Sequence, residues 1–272
     1  MDDIAVAIRN PIRERDSMKT LVAIPVFNEE NTVQAVLERV RSHAEHVLLI
    51  DDGSTDGTAA EIEKVRKQFG IDLIRHEGNV GYGRSLRSAF RRAHEQGFDW
   101  IVTMDCDEQH EPDELPAFFN EIARTQADII SGSRYLDPTL DPIGEPPSSR
   151  RAINRTITAE INERLGLELT DGFCGFKAHR VSTMHSLDLT EDGYAFPMQL
   201  WVQLVARGAT ISERAIRRIY NDPNRSFGGD LDDPDHRLSH YRGVMNREIC
   251  AHAESLPAGA ACSSMTPCCG DV

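Results

Sequence analysis

TLVAIPVFNEENTVQAVLERVRSHAEHVLLIDDGSTDGT, residues 20–58, is the stretch from which the fold is read. TLVAIPVF (20–27) is a short apolar run of strand type, and HVLLI (46–50) is a second. Between them Val33, Val36, Leu37 and Val40 recur at the spacing of one helical face. The unit is therefore strand, helix, strand, and it closes on Asp51-Asp52-Gly53-Ser54. Downstream, Thr58 and Glu61 form a capping-box pattern that opens a helix running to about Phe69. IDLIRH (71–76) is a third strand, and a Gly-rich turn leads from it into the helix RSLRSAFRRAHEQG. DWIVTMD (99–105) is a fourth strand, followed by a helix from about Pro112 to Arg124. ADIISGSR supplies a fifth.

Strands alternating with helices of this length predict an α/β fold, a mainly parallel sheet with helices on both faces. In such sheets ligands sit beyond the carboxyl ends of the strands. The polar groups are where that rule puts them. Asn28-Glu29 follow the first strand, Asp51-Asp52 the second, His76 to Asn79 the third, and Asp105-Cys106-Asp107 the fourth. After Leu136 the texture changes. A proline-rich loop (137–149) precedes a helix near 150–165, the segment DGFCGFKAHR, a helix FPMQLWVQLVARG (196–208) and a strand-like ATISERAIRRIY. No internal repeat is visible.

Composition narrows the classes. With 272 residues, 27% charged and 40% hydrophobic, the chain is an ordinary globular protein with room for a sizeable core. Its formal net charge of −14 argues against nucleic acid as a partner, because such binding rests on a basic face that displaces counterions. No run of about 18 apolar residues encodes a membrane span. MDDIAVAIRNPIRERDSMK lacks the basic start and apolar core of a signal peptide, so a cytoplasmic location is expected. Without an export signal the six cysteines do not imply a disulfide framework. Residues 1–18 read as a loosely held leader. SLPAGAACSSMTPCCGDV, with Cys262, Cys268 and Cys269, reads as a disordered end with a metal-binding tail as the lesser alternative.

Asp105-Cys106-Asp107 is the sharpest motif. Alternate residues leaving a strand can turn two carboxylates toward one cation, with Gln109 adding a carbonyl oxygen. Mg2+ and Mn2+ take such oxygen ligands, together with phosphate and water. The alternative is a solvated acidic turn. Asp51 and Asp52 end a buried strand, where a nucleotide's base or ribose hydroxyls could partner them; turn formation is the other reading. Asn79-Val80-Gly81-Tyr82-Gly83 precedes a helix bearing Arg84, Arg87 and Arg91. Its glycines allow close backbone approach, and the helix N-terminus favours anions. Arg150, Arg151 and Arg155 could meet an acceptor phosphate or simply face water. Glu191-Asp192 could hold a general base. The ten histidines form no zinc-hydrolase pattern.

Together, IPVFNEE (24–30), LLIDDGSTDGT (48–58), NVGYG (79–83), TMDCDEQHEPDEL (103–115), SGSRY (131–135) and TDGFCGFKAHR (170–180) resemble family 2 glycosyltransferases, nearest the dolichol-phosphate (polyprenyl-phosphate) mannose synthase branch. The resemblance runs from about Leu21 to Gly229. It implies a GT-A fold, inversion at the anomeric carbon and a donor of the GDP-mannose or UDP-glucose type. By matching positions, Pro25, Asn28, Glu29 and Asp52 would hold the nucleoside, with Phe27, Asp51, Asn79, Gly83, Asp105 and Cys106 as further donor-binding candidates. Asp105, Asp107 and Gln109 would hold Mg2+ or Mn2+, and Arg134 and Arg225 would meet phosphates or acceptor, with Arg150 and Arg151. Asp107, Arg134 and Asp192 are the candidates for catalysis. The chain departs from the branch at Ser85, Ala89, Gln199 and the end of the loop NRSFGGD.

The domain expected is a catalytic unit over 19–230, with a nucleotide-sugar half to about 136, an acceptor half beyond it, and a C-terminal extension over 231–272. Three functions fit: transfer to a polyprenyl phosphate, met through a membrane-protein partner or a surface helix; transfer to a small hydroxyl acceptor with Asp192 as base; and a non-catalytic nucleotide-sugar-binding protein.

Overall fold

A computed structural model describes residues 18–221 and 228–260. The opening unit folds as read: β1 (Thr20–Val26), α1 (Val33–Arg41) and β2 (Val47–Asp51), then α2 (Thr58–Phe69), β3 (Asp72–Arg75), α3 (Tyr82–Glu95) and β4 (Trp100–Thr103). The second half holds α4 (Leu115–Ile122), β5 (Ile129–Ser133), α5 (Ser148–Leu165), β6 (Lys177–Arg180), α6 (Val181–His185), α7 (Phe196–Ala206), β7 (Ile211–Ala215) and α8 (Pro234–Ala251). One seven-stranded sheet runs β3-β2-β1-β4-β6-β5-β7. All neighbours are parallel except β6, which lies antiparallel between β4 and β5, pairing Thr103 with Lys177 and Ser131 with Lys177.

The period-2 alternation of β1 builds two cores. Leu21 and Ala23 face the layer of α3, α5, α7 and α8, while Val22, Ile24 and Val26 face α1, α2 and α4. Every residue of β2, β4 and β5 is buried, as strands covered on both faces must be. The chain lays β1, β2 and β3 in one direction and then crosses back to set β4 on the other side of β1. That reversal opens a crevice at the carboxyl ends of β1 and β4.

Two expectations are revised. The helix α2 starts without the Thr58–Glu61 box: Asp56 accepts the Thr58 N–H at 3.0 Å, and Glu61 pairs with Lys64. Thr58 is fully buried instead, its hydroxyl accepting the Glu29 N–H at 2.7 Å. The extension from 231 begins as α8, whose Tyr241, Val244, Met245 and Ile249 enter the same core as α5 and α7. Cys106, Cys174 and Cys250 are free thiols; Cys262, Cys268, Cys269 and the leader's first 17 residues lie outside the described residues.

Candidate active site

At the crevice the loop after β1 and the loop after β2 clasp each other. Asn28 adopts φ 56°, a left-handed conformation that asparagine tolerates better than most residues. This turns its side-chain oxygen onto the Thr55 N–H at 2.8 Å, while its own N–H meets the Ser54 hydroxyl at 3.1 Å. Glu30 takes the Gly57 N–H at 2.7 Å. The two aspartates after β2 then part company. Asp51 is spent on structure: its carboxylate accepts from Arg75 at 2.8 Å and from the Ser54 N–H at 2.9 Å, and it does not reach the cavity. Asp52 does reach it, held by His76 at 2.6 Å and by the N–H groups of Val80 and Gly81 at 3.2 and 2.9 Å.

Those last two bonds fold the Gly-rich turn onto Asp52. Gly81 has φ 106°, and a Cβ there would sit 2.3 Å from the Asp192 carbonyl oxygen; one at Gly83 would sit 2.4 Å from that of Glu191. The glycines therefore admit the 190–194 loop; Gly81 also lines the cavity, whereas Gly83 is not in its wall. The N-terminus of α3 is occupied by the same loop, the Arg84 N–H donating to the Asp192 carbonyl at 3.1 Å. The Asp192 carboxylate is half-exposed, ion-paired with Arg87 and outside the cavity wall. Gln199 fixes this loop, accepting the N–H groups of Thr190 and Glu191 at 2.7 and 2.8 Å.

The Asp-x-Asp pair leaves β4 as expected, and both carboxylates and Gln109 line the cavity. Asp105 accepts the Tyr82 hydroxyl at 3.1 Å, and Asp107 accepts the Gln109 N–H at 3.1 Å. Glu108 between them stands at φ 59°, which brings the pair and the glutamine round one turn. Burial disfavours charge on the adjacent His110 imidazole, but the Asp105 carboxylate, with Cys174 and Asp107, outweighs it and lifts His110 to about 9. The carboxylate pair thus draws positive charge to itself, the condition a divalent cation answers. The Asp105 N–H donates to His110 Nδ1 at 2.9 Å. Among the described residues no cluster of three or more His, Cys, Asp or Glu could hold a metal alone. Two carboxylates completed by diphosphate and water is the mode in which Mg2+ is usually held.

The cavity has a volume of about 690 Å³. Its carboxylates, Glu29, Asp52, Asp105 and Asp107, come from the ends of β1, β2 and β4, with Pro25, Phe27, Asn28, Asn79 and Cys106 beside them. Its arginines, Arg134, Arg150 and Arg237, come from the end of β5, from α5 and from α8. Arg134 is locked bidentately to the fully buried Asp171, at 2.6 and 2.9 Å, and reaches the Tyr220 hydroxyl at 3.3 Å. Burial alone would raise the Asp171 carboxyl, yet the guanidinium holds it at about 2. Arg151 points to solvent toward Glu145 at 3.9 Å, outside the cavity wall. Arg225 lies outside the described residues. Sequence reading missed Tyr82, Asn154, Tyr194, Tyr220, Arg237 and Tyr241; only burial on folding gathers them.

A mostly parallel sheet with a cavity at its strand reversal is the architecture of the GT-A fold. The glucosyl-3-phosphoglycerate synthase of Mycobacterium tuberculosis, solved with Mn2+, uridine diphosphate and glucosyl-3-phosphoglycerate, superposes with a TM-score of 0.62 at 18% identity, over 88% of this chain and 81% of that one. Residues 21–186 match the family described as Glycosyl transferase family 2, and the chain belongs to that family. It is 31% identical to the undecaprenyl-phosphate mannosyltransferase of Micrococcus luteus, over 77% of this chain and 87% of the relative. It is 27% identical to the polyprenol monophosphomannose synthase of Mycolicibacterium smegmatis, over 75% and 78% respectively. No helix among the described residues is long and apolar enough to cross a membrane.

Proposed function

We propose that this glycosyltransferase moves a sugar, with inversion, from a nucleoside-diphosphate donor to a polyprenyl phosphate, with the help of Mg2+ or Mn2+. The observation that carries the reading is the lining of the cavity: four carboxylates from the ends of β1, β2 and β4, and three arginines from the end of β5, from α5 and from α8. A cation and a diphosphate suit the carboxylates, and an anionic acceptor suits the arginines. The names of the two relatives above point the same way.

Asp105, Asp107 and Gln109 would hold the cation, which would neutralise the departing diphosphate. Pro25, Phe27, Asn28, Glu29 and Asp52 would hold the nucleoside, with Asn79 and Cys106 beside it, and Arg134 and Arg150 would face the acceptor with Arg225. A phosphate oxygen of the acceptor attacks C1 of the sugar as the bond from C1 to the diphosphate oxygen breaks. The attacking oxygen is already anionic, so no side chain has to remove a proton. Orientation and charge supply the acceleration. The position of Asp192, paired with Arg87 and away from the cavity, supports this over a hydroxyl acceptor that would require it as base.

The test is a radiolabelled-sugar assay across UDP and GDP donors with undecaprenyl phosphate in detergent, scored by sugar in the lipid phase. Asp192→Asn should retain most of the turnover. Arg150→Gln should raise the Michaelis constant for acceptor roughly tenfold or more, the scale of a lost charged hydrogen bond, and spare donor hydrolysis. Collapse of turnover in Asp192→Asn would overturn the reading in favour of a hydroxyl acceptor.

Asp52→Ala addresses the donor end. It should weaken nucleoside-diphosphate binding by about 1–3 kcal/mol and also loosen the turn that Val80 and Gly81 close on this carboxylate. Titration calorimetry reads the first effect and thermal melting the second. Unchanged affinity with a lowered melting point would make Asp52 a purely structural clasp.

A further inference from the structure

The first two turns of α3 carry Tyr82, Ser85 and Ser88 along one ridge, each three residues from the next. The outer two have partners in the site. The Tyr82 hydroxyl donates to Asp105 at 3.1 Å. The Ser88 hydroxyl lies 3.2 Å from Nε2 of His76, whose other ring nitrogen meets Asp52 at 2.6 Å. Ser85 sits between them and lines the cavity. It is 0% exposed, yet its hydroxyl has no hydrogen-bond partner among the described residues. Its backbone N–H is used in the ordinary way, donating to the Gly81 carbonyl at 3.1 Å. A serine inside a helix commonly returns its hydroxyl to a carbonyl one turn back, and Ser85 does not. An unpaired buried hydroxyl destabilises the fold unless a ligand satisfies it. Of the buried side-chain atoms left unpaired among the described residues, this one alone belongs to a residue of the cavity wall.

Resting on the donor reading above, we propose that the Ser85 hydroxyl recognises the nucleoside of the donor, hydrogen-bonding its base or its ribose. The position selects the nucleoside. One step along the ridge stands Tyr82, tied to a carboxylate assigned to the cation; one step the other way stands Ser88, tied through His76 to Asp52, the carboxylate assigned to the nucleoside. A hydroxyl both donates and accepts, so it can meet a ribose hydroxyl or a base edge, and rotation about a single χ angle aims it into the cavity. A wall that holds an otherwise unpaired hydroxyl also discriminates against a nucleotide unable to pair with it.

The test uses the full chain with Ser85→Ala and Ser85→Cys, titrated in the calorimeter with UDP, GDP and inorganic pyrophosphate in the presence of Mg2+. For whichever nucleotide the wild type binds more tightly, Ser85→Ala should raise the dissociation constant roughly threefold to tenfold. The constant for pyrophosphate, which lacks a nucleoside, should stay within about twofold. The melting temperature of the ligand-free protein should hold or rise, because the unpaired hydroxyl has gone. Ser85→Cys keeps the bulk but has only a weak S–H donor, so it should lose nearly as much, which separates hydrogen bonding from packing. The 2′-deoxy and 3′-deoxy nucleotides then locate the contact. A penalty that vanishes with one of them identifies that ribose hydroxyl, and a penalty that persists with both identifies the base. Nucleotide constants unchanged in both variants overturn the Ser85 contact and leave the donor reading intact, and so does an equal loss for pyrophosphate. A wild type that binds neither nucleotide overturns both.

Discussion

Asp107→Asn abolishes sugar transfer and leaves the melting temperature where it was. The side chain lies in the cavity wall, not in either hydrophobic core, so its change to the isosteric amide leaves no void. The amide oxygen can still accept the Gln109 N–H that Asp107 accepts at 3.1 Å, so the turn survives. What disappears is one of the two negative charges proposed to hold the cation. Metal stabilisation of a leaving diphosphate amounts to several kcal/mol, and losing most of it slows the reaction about a thousandfold. Because the proposal gives the ion only Asp105 and Asp107 as carboxylate ligands, its binding should depend on the nucleotide. Mn2+ followed by paramagnetic resonance should bind weakly to the protein alone and tightly once a nucleoside diphosphate is added; Asp107→Asn should lose the second state. Turnover near wild type at saturating metal would end the two-carboxylate proposal.

The first half of the fold is legible because its signals are local. β1 and β2 are written as short apolar runs and α1 as a period-3.6 repeat, and the reactive groups stand immediately after each strand. The second half is legible in part: β5, α5, α7 and β7 stand where the pattern puts them, but its decisive features are tertiary. β6 reads Lys-Ala-His-Arg, with no apolar run, yet Lys177 and His179 are buried in the sheet. Lys177 survives there by donating to the Cys174 carbonyl, three residues back, and by lying 5.3 Å from the ring of Trp201, a partner remote in sequence. The helix α8 is similarly masked: arginines, histidines and acidic residues interrupt its apolar face, so its stretch looks like solvent-exposed chain. Asp51 and Asp52 show the same limit at a finer grain. Adjacent on a strand, they must point to opposite sides, but which one meets the ligand depends on where Arg75 and Gly81 arrive.

Asp171→Asn is the variant expected to cost most in stability. Arg134 and Asp171 face each other with side chains 11% and 0% exposed, so the protein has removed two charges from water and lets them satisfy each other. Asn154 and the Phe173 N–H add bonds to the same carboxylate at 2.9 and 3.2 Å. An amide in its place leaves a buried guanidinium without a countercharge, a loss of about 3–5 kcal/mol. That should lower the melting point on the order of 10 °C for a domain of this size. Replacing both partners by apolar residues, Arg134→Met with Asp171→Leu, should recover only part of that loss: the Arg134 charge leaves with its partner, but the buried Lys177 loses a countercharge and Asn154 and the Phe173 N–H lose their acceptor. The pH dependence has a definite sign. Asp171 titrates at about 2 when folded, against 3.8 for the free side chain. The unfolded chain therefore takes up the proton first, and this stabilisation, roughly 2 kcal/mol, is complete above about pH 4 and drains away toward pH 2. Other carboxylates titrate nearby, so the informative quantity is the wild-type unfolding free energy minus that of Asp171→Asn, followed by urea denaturation. That difference should shrink as pH falls from about 4 to 2; a difference flat across the window would mean that the Arg134 charge does not hold the Asp171 carboxylate ionised.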